Sequence, residues 1–198
     1  MEDFNIIERI SEFIETFMVK YKYENRGILR KFRIDSRLNM DLDNEKWCSY
    51  FLNKSCLNYC AKILLLRYFE DNGFIVSKMN VKGIESWRNL VKNISEKFHV
   101  LYSIAILDLQ GEKNHEISFI FQNSDYDVYP IDDELAAIII KNFSSIDFSN
   151  IKKNQVITWF RQIYSLEQRE EWGLEGFYKN APALSYIIQL DKAEMDNG

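Results

Sequence analysis

The chain is poor in turn formers: its 198 residues include seven glycines and two prolines. All-β sandwiches and barrels need frequent turns, so this scarcity argues for helices. Cysteine is scarce too. Cys48, Cys56 and Cys60 are odd in number and sit in an aromatic-rich stretch. That pattern excludes a disulfide framework and fits reduced, intracellular thiols. No apolar run approaches the roughly 18 residues needed to span a bilayer. The start, Met1-Glu2-Asp3, is acidic and lacks a signal-peptide pattern. A cytoplasmic chain is the expectation. Gly83 and Gly111 have no glycine partner nearby, so there is no glycine-rich phosphate loop, and no Gly-x-Ser-x-Gly elbow occurs. Cations are not in excess: the net charge of −5 argues against a generally basic nucleic-acid binder, though not against a local basic patch.

Apolar and aromatic side chains are abundant. Apolar residues make up 46% of the chain, with 14 Phe, 11 Tyr and 4 Trp, which supplies a core and argues against disorder. Residues 3–21 repeat Phe4, Ile7, Ile10, Ile14, Phe17, Met18 and Tyr21 at helical steps, with Asp3 a candidate cap. Residues 43–72 form the strongest helical segment, with Trp47, Phe51, Leu52, Cys56, Tyr59, Ile63, Leu66 and Phe69 on its apolar surface. Leu64-Leu65-Leu66 widens that stripe, so this helix is expected to be central. Gly73 suits a left-handed cap behind it. Residues 83–109 read as one or two helices, with Trp87, Leu90, Val91, Ile94 and Phe98 on one stripe. Ile117–Phe121 reads as either a short strand or a buried loop segment. Asp132-Asp133-Glu134 opens a helix through Phe143, and 154–171 is the next. The expected fold is all-α or nearly so, an irregular multi-helix bundle over residues 1–175, with 176–198 a separate remnant and a polar tail.

Candidate chemistry is thin. Cys56 and Cys60 share a helix face, and His99 or His115 would have to complete a metal site; buried thiols acting as small hydrophobes are the simpler reading. Asp125, Asp127 and Asp132 lack the ordered spacing and glycine of a calcium loop. Residues 20–37 stand out instead. Lys20, Lys22, Arg26, Arg30, Lys31, Arg33 and Arg37 face only Glu24 and Asp35, a local charge of +5 in a chain of −5. Tyr21, Tyr23 and Phe32 interleave with these cations. The segment reads either as a contact for a phosphate backbone, aided by stacking, or as a solvated connector. Lys22, Arg26, Arg30, Lys31 and Arg33 are the candidate contacts.

Several stretches, in order, resemble one family. Leu65-Leu66-Arg67-Tyr68-Phe69-Glu70-Asp71-Asn72-Gly73-Phe74 resembles an early helix of large adenine-specific DNA methyltransferases, the restriction–modification fusion enzymes and the related methylase of BREX phage-defence systems. Glu134-Leu135 through Ile146-Asp147-Phe148-Ser149-Asn150-Ile151 is similar to the helix and link ahead of their catalytic domain. Val156 to Tyr164 occupies the place of a further segment, matching at Ile163-Tyr164. Finally Phe177, Tyr178, Tyr186, Ile187 and Ile188 match the opening of the catalytic domain, with Lys179 and Asn180 where the family has Thr and Pro. The resemblance implies a non-catalytic helical region that packs on a methyltransferase catalytic domain, in cis or in trans, and helps to seat DNA. It places Phe177 and Tyr178 against the S-adenosylmethionine pocket. The glycine-bearing cofactor strand and the Asn-Pro-Pro-Tyr loop that grips a flipped adenine are expected beyond Ile188, not within this chain. The competing expectation is a stand-alone relative acting as a protein-binding or decoy module, marked by an exposed apolar face over residues 156–188.

Overall fold

Helices account for all the regular structure in the computed structural model, which describes residues 2–22, 28–36, 43–163 and 181–196. In chain order these are α1 (Glu2–Tyr21), α2 (Ile28–Ser36), α3 (Asn44–Asp71), α4 (Val81–Leu90), α5 (Phe98–Gln110), α6 (His115–Ile120), α7 (Asp133–Phe143), α8 (Lys153–Ile163) and α9 (Pro182–Asp196). No strand occurs among the described residues, so the all-α expectation holds there.

The axis of the fold is α3. It starts at Asp43, whose carboxylate accepts from the Lys46 amide at 2.9 Å, and it runs unbroken for 28 residues. Every residue of its expected apolar surface is buried, and so are Leu64 and Leu65 on the other sides. Such all-round burial marks an interior helix rather than a surface one. α1, α8 and α9 pack on it; α1 also meets α7 and α8, while α5 joins α7 to α6. Gly73 ends α3 with a φ of 73°, a backbone region in which a Cβ is penalised. Phe74 then donates its amide to the Phe69 carbonyl at 3.0 Å and sets its ring 5.8 Å from that of Phe69.

An aromatic knot joins α1 to α3 and to the link before α7. Phe17 lies 5.0 Å from Tyr21, 5.6 Å from Tyr59 and 5.7 Å from Tyr129, and Trp47 stacks on Phe51 at 4.9 Å. Burying a side chain of this kind contributes about 1.5–3 kcal/mol, so the knot fixes where α1 ends.

Four expectations need correction. Ile117–Phe121 is neither strand nor loop. Asn114 caps α6 by accepting from Glu116 and Ile117 amides at 3.0 and 3.3 Å, and Ile117 and Ile120 turn inward one helical step apart. The stripe from Trp87 to Phe98 is not continuous. α4 stops at Leu90, which is 80% exposed, and the Trp87 indole donates to the Ser95 carbonyl at 3.0 Å, folding the 91–97 link back. Asp3 lies inside α1, not ahead of it. The deepest face of α1 runs Ile6, Ile10, Phe13, Phe17 and Tyr21, with Ile7, Ile14 and Met18 on its flank.

Candidate nucleic-acid interface

The basic segment begins where α1 ends, and its cations divide by environment. Lys20 is held at the start of α7, 2.5 Å from Asp132 and 2.7 Å from Glu134. Hydrogen bonds that it donates to Asp132 and then Glu134 push its ammonium well above the ordinary lysine range. Burial pushes the Asp132 carboxyl up, but bonds from Lys20 and the Leu135 amide outweigh it and hold the carboxyl low. Asp132 also caps α7. Lys20 is therefore a strut between α1 and α7.

The neighbouring aromatic is equally committed. Tyr21 is buried, its ring against Phe17 and Tyr129 and its hydroxyl donating to the Pro130 carbonyl. It offers no face on which a base would stack, which corrects the stacking role expected of it. Lys22, next along, is exposed.

On α2, Leu29 faces the core and Arg30 and Lys31 face solvent. Neither Arg30 nor Lys31 has a hydrogen-bond or ion-pair partner among the described residues. Arg33 is half-buried, with its guanidinium 5.4 Å from the Trp47 ring centre and Nη1 donating to Asn44 Oδ1 at 3.2 Å. It anchors α2 to the first turn of α3. Of the five candidate contacts, then, Arg30 and Lys31 share a solvent face, Lys22 is exposed at the end of α1, and Arg33 is a support. Arg26 lies outside the described residues, as do Tyr23, Phe177 and Tyr178.

The stretches behind the family resemblance meet in space. Arg67 is 1% exposed and makes a fork of contacts: Nη1 to Glu70 at 2.5 Å, Nη2 to Asp71 at 2.6 Å, Nε to the Phe143 carbonyl at 3.1 Å and Nη2 to the Ile146 carbonyl at 3.0 Å. Its guanidinium also lies over the Phe148 ring. Asp71 accepts from the Phe148 amide at 3.0 Å, and Asn72 donates to the Phe148 carbonyl at 3.1 Å. Trp159 of α8 stands edge-on to Phe148 at 6.1 Å, and α9 packs on both α3 and α8. Glu70 accepts from the Lys78 and Met79 amides at 2.7 and 2.8 Å. Burial pushes its carboxyl up, against Arg67 and those two amides.

Glu70 and Asp71 are thus partners of a buried arginine. Asp127 belongs to a Lys62 ion pair and Asp132 to Lys20, so these carboxylates answer cations of the chain itself. The exposed apolar face expected over 156–188 is not there among the described residues: Val156, Ile157, Trp159, Phe160, Leu184, Ile187 and Ile188 are all buried. No helix among the described residues is long and apolar enough to cross a membrane. Comparison with family models, with curated proteins and with solved structures finds no match for this chain.

Proposed function

We propose that this chain is a non-catalytic helical module that grips the phosphate backbone of DNA beside an adenine methyltransferase catalytic domain, of restriction–modification or BREX type. The carrying observation is the pair Arg30 and Lys31, exposed on one face of α2 without an acidic partner among the described residues. A cation without a carboxylate neighbour meets a phosphate without first breaking an ion pair. Contacts of this kind position a duplex and carry no sequence information. The methyltransferase context rests on the order of the resembling stretches. Their contacts through Arg67, Phe148 and Trp159 support it, because they account for the spacing of those stretches as one folded unit. S-adenosylmethionine and the adenine-gripping loop belong to the catalytic partner in this reading.

Fluorescence anisotropy of a labelled duplex, titrated with the full chain at several salt concentrations, tests the proposal. Affinity is expected to fall steeply with salt, by about 0.9 in log–log slope for each phosphate contacted. The Arg30→Ala/Lys31→Ala variant should bind more weakly and with a shallower slope. Equal binding by variant and wild type overturns the reading.

A further inference from the structure

Asn72-Gly73 closes α3, and it is a residue pair able to change its own covalent structure. Asparagine followed by glycine deamidates readily, because glycine has no Cβ to shield the attacking nitrogen. The Gly73 nitrogen gives up its proton and bonds to Cγ of Asn72; the Cγ–Nδ2 bond breaks and ammonia leaves. Water then opens the resulting succinimide at either of its carbonyls, leaving aspartate or isoaspartate at position 72. Gly73 lines an open groove of about 490 Å³, walled by Ser77, Asn80, Ser144 and Ser149, so water reaches the dipeptide.

The folded chain holds each reacting atom out of place. The Gly73 amide donates to the Glu70 carbonyl at 3.2 Å. Asn72 Nδ2 donates to the Tyr68 carbonyl at 2.9 Å and to the Phe148 carbonyl at 3.1 Å, which ties down the carboxamide that must turn. The backbone angle is wrong as well: ψ of Asn72 is 6°. That value eclipses the Gly73 nitrogen with the Asn72 backbone nitrogen, whereas ring closure needs it near Cβ. Reaction therefore requires the end of α3 to open and let go of Phe148. Local opening of this kind costs less than global unfolding, and its equilibrium sets the rate when reclosing outpaces the chemistry.

We propose that Asn72-Gly73 is a one-way modification site that records opening of the joint between α3 and the 144–150 link. While the joint stays closed, Asn72 persists. Once it has opened and reacted, it does not close as before. A carboxylate at position 72 has no N–H for the Tyr68 and Phe148 carbonyls, and it would set a second negative charge directly after Asp71. Two acceptors then lose their donor and face an anion instead. Isoaspartate also adds a methylene to the main chain just before Gly73, whose φ of 73° shapes the turn. Asp71 and Phe148 share that turn through the bond from the Phe148 amide, so the damage reaches the Arg67 fork.

The test incubates the full chain at mildly alkaline pH, folded and, in parallel, unfolded in guanidinium. Peptide mapping by mass spectrometry follows the gain of about one dalton at Asn72 as nitrogen is exchanged for oxygen. Conversion should be at least about tenfold slower in the folded chain, the ratio reporting how seldom the joint opens. Phe148→Leu, which loosens the joint without touching the dipeptide, should speed conversion several-fold in the folded chain and leave the unfolded rate unchanged. Asn72→Asp should lower the urea midpoint. If that variant does not fold, the deamidated fraction of aged wild type, separated by ion exchange, gives the same reading. Equal rates in folded and unfolded wild type overturn the proposal, as does a folded Phe148→Leu chain that converts no faster than wild type. An aspartate form with the wild-type midpoint also overturns it, because the joint would then close again after reaction.

Discussion

Arg67 and Arg30 are the same residue type set to opposite tasks. Arg67 is buried at the end of α3 with two carboxylates and two carbonyls around it, whereas Arg30 stands on the solvent face of α2 with none among the described residues. The difference teaches where to look for function among charges of one kind. A charge whose hydrogen-bonding capacity is filled from within specifies the fold. A charge left exposed and unmatched is available to something else. If the contrast is sound, substitutions at the first kind of site change stability and those at the second change binding.

The sharpest way to break the comparison is Arg67→Ala. It leaves Glu70 buried without its cation and frees the Phe143 and Ile146 carbonyls. Removing one partner of a buried pair costs about 3–5 kcal/mol, a large share of the roughly 5–15 kcal/mol that holds a domain together. Urea unfolding should show this as a drop in midpoint. A midpoint unchanged within error would mean that the Arg67 fork is ornamental.

Lys54 gives the next effect, and it depends on pH. It is fully buried on α3, and burial depresses its ammonium to about 6. The folded value lies below the unfolded one, so between the two the unfolded chain binds the extra proton. Stability therefore falls as pH drops from the unfolded lysine range toward 6, and flattens below that. The slope is up to about 1.4 kcal/mol per pH unit. Urea midpoints of wild type and Lys54→Met should converge toward alkaline pH and separate between pH 9 and 7, the methionine chain being the more stable. Parallel curves across that window would show that Lys54 does not carry the penalty.

Gly83→Ala probes the loop that the Arg67–Glu70 pair supports. A Cβ at this position would stand 2.3 Å from the Lys78 backbone, beside the amides that Glu70 receives. Since the obstacle is backbone rather than a flexible side chain, relief requires moving the loop. Overpacking of this sort costs about 1–3 kcal/mol, readable as a lower melting temperature. Hydrogen exchange at Lys78 and Met79 should speed up with it. Gly83 thus owes its place to a close approach of chain to chain, and not to a phosphate.

The helices were largely legible because their signals are local. Apolar steps of three and four residues marked α1 and α3, and Asp132 and Gly73 punctuated the chain as their chemistry requires. What escaped was decided at a distance. α6 looked strand-like because six residues carry too short a period, and it is the Asn114 cap and the packing of α5 that settle it. Leu90 read as part of a stripe because nothing local announces that the Trp87 indole will bond Ser95 across a turn. The basic segment was visible as composition, but composition could not sort it: Lys20 looked like its neighbours until Asp132 and Glu134, more than a hundred residues on, were folded against it. The Lys62–Asp127 pair gave no motif at all. Its one trace was Lys62, a lysine amid the apolar run of a central helix, which demands a buried partner somewhere.

The smallest expected change in stability is also the most informative one for function. Arg30 and Lys31 touch no partner among the described residues, so their replacement by alanine should move the urea midpoint by no more than about 0.5 kcal/mol, as for surface positions generally. The duplex-binding isotherm, by contrast, should lose about one unit of salt slope for each cation that met a phosphate. Arg33→Ala is the control that separates the two roles. Its guanidinium rests on Trp47 and bonds Asn44, so it should lower the midpoint by roughly 0.5–2 kcal/mol through lost packing and weaken binding only as far as α2 loosens. Were Arg33→Ala to leave stability intact and alone abolish binding, the division between structural and available charge would have been drawn through the wrong residues of α2, and Arg33 would be the contact.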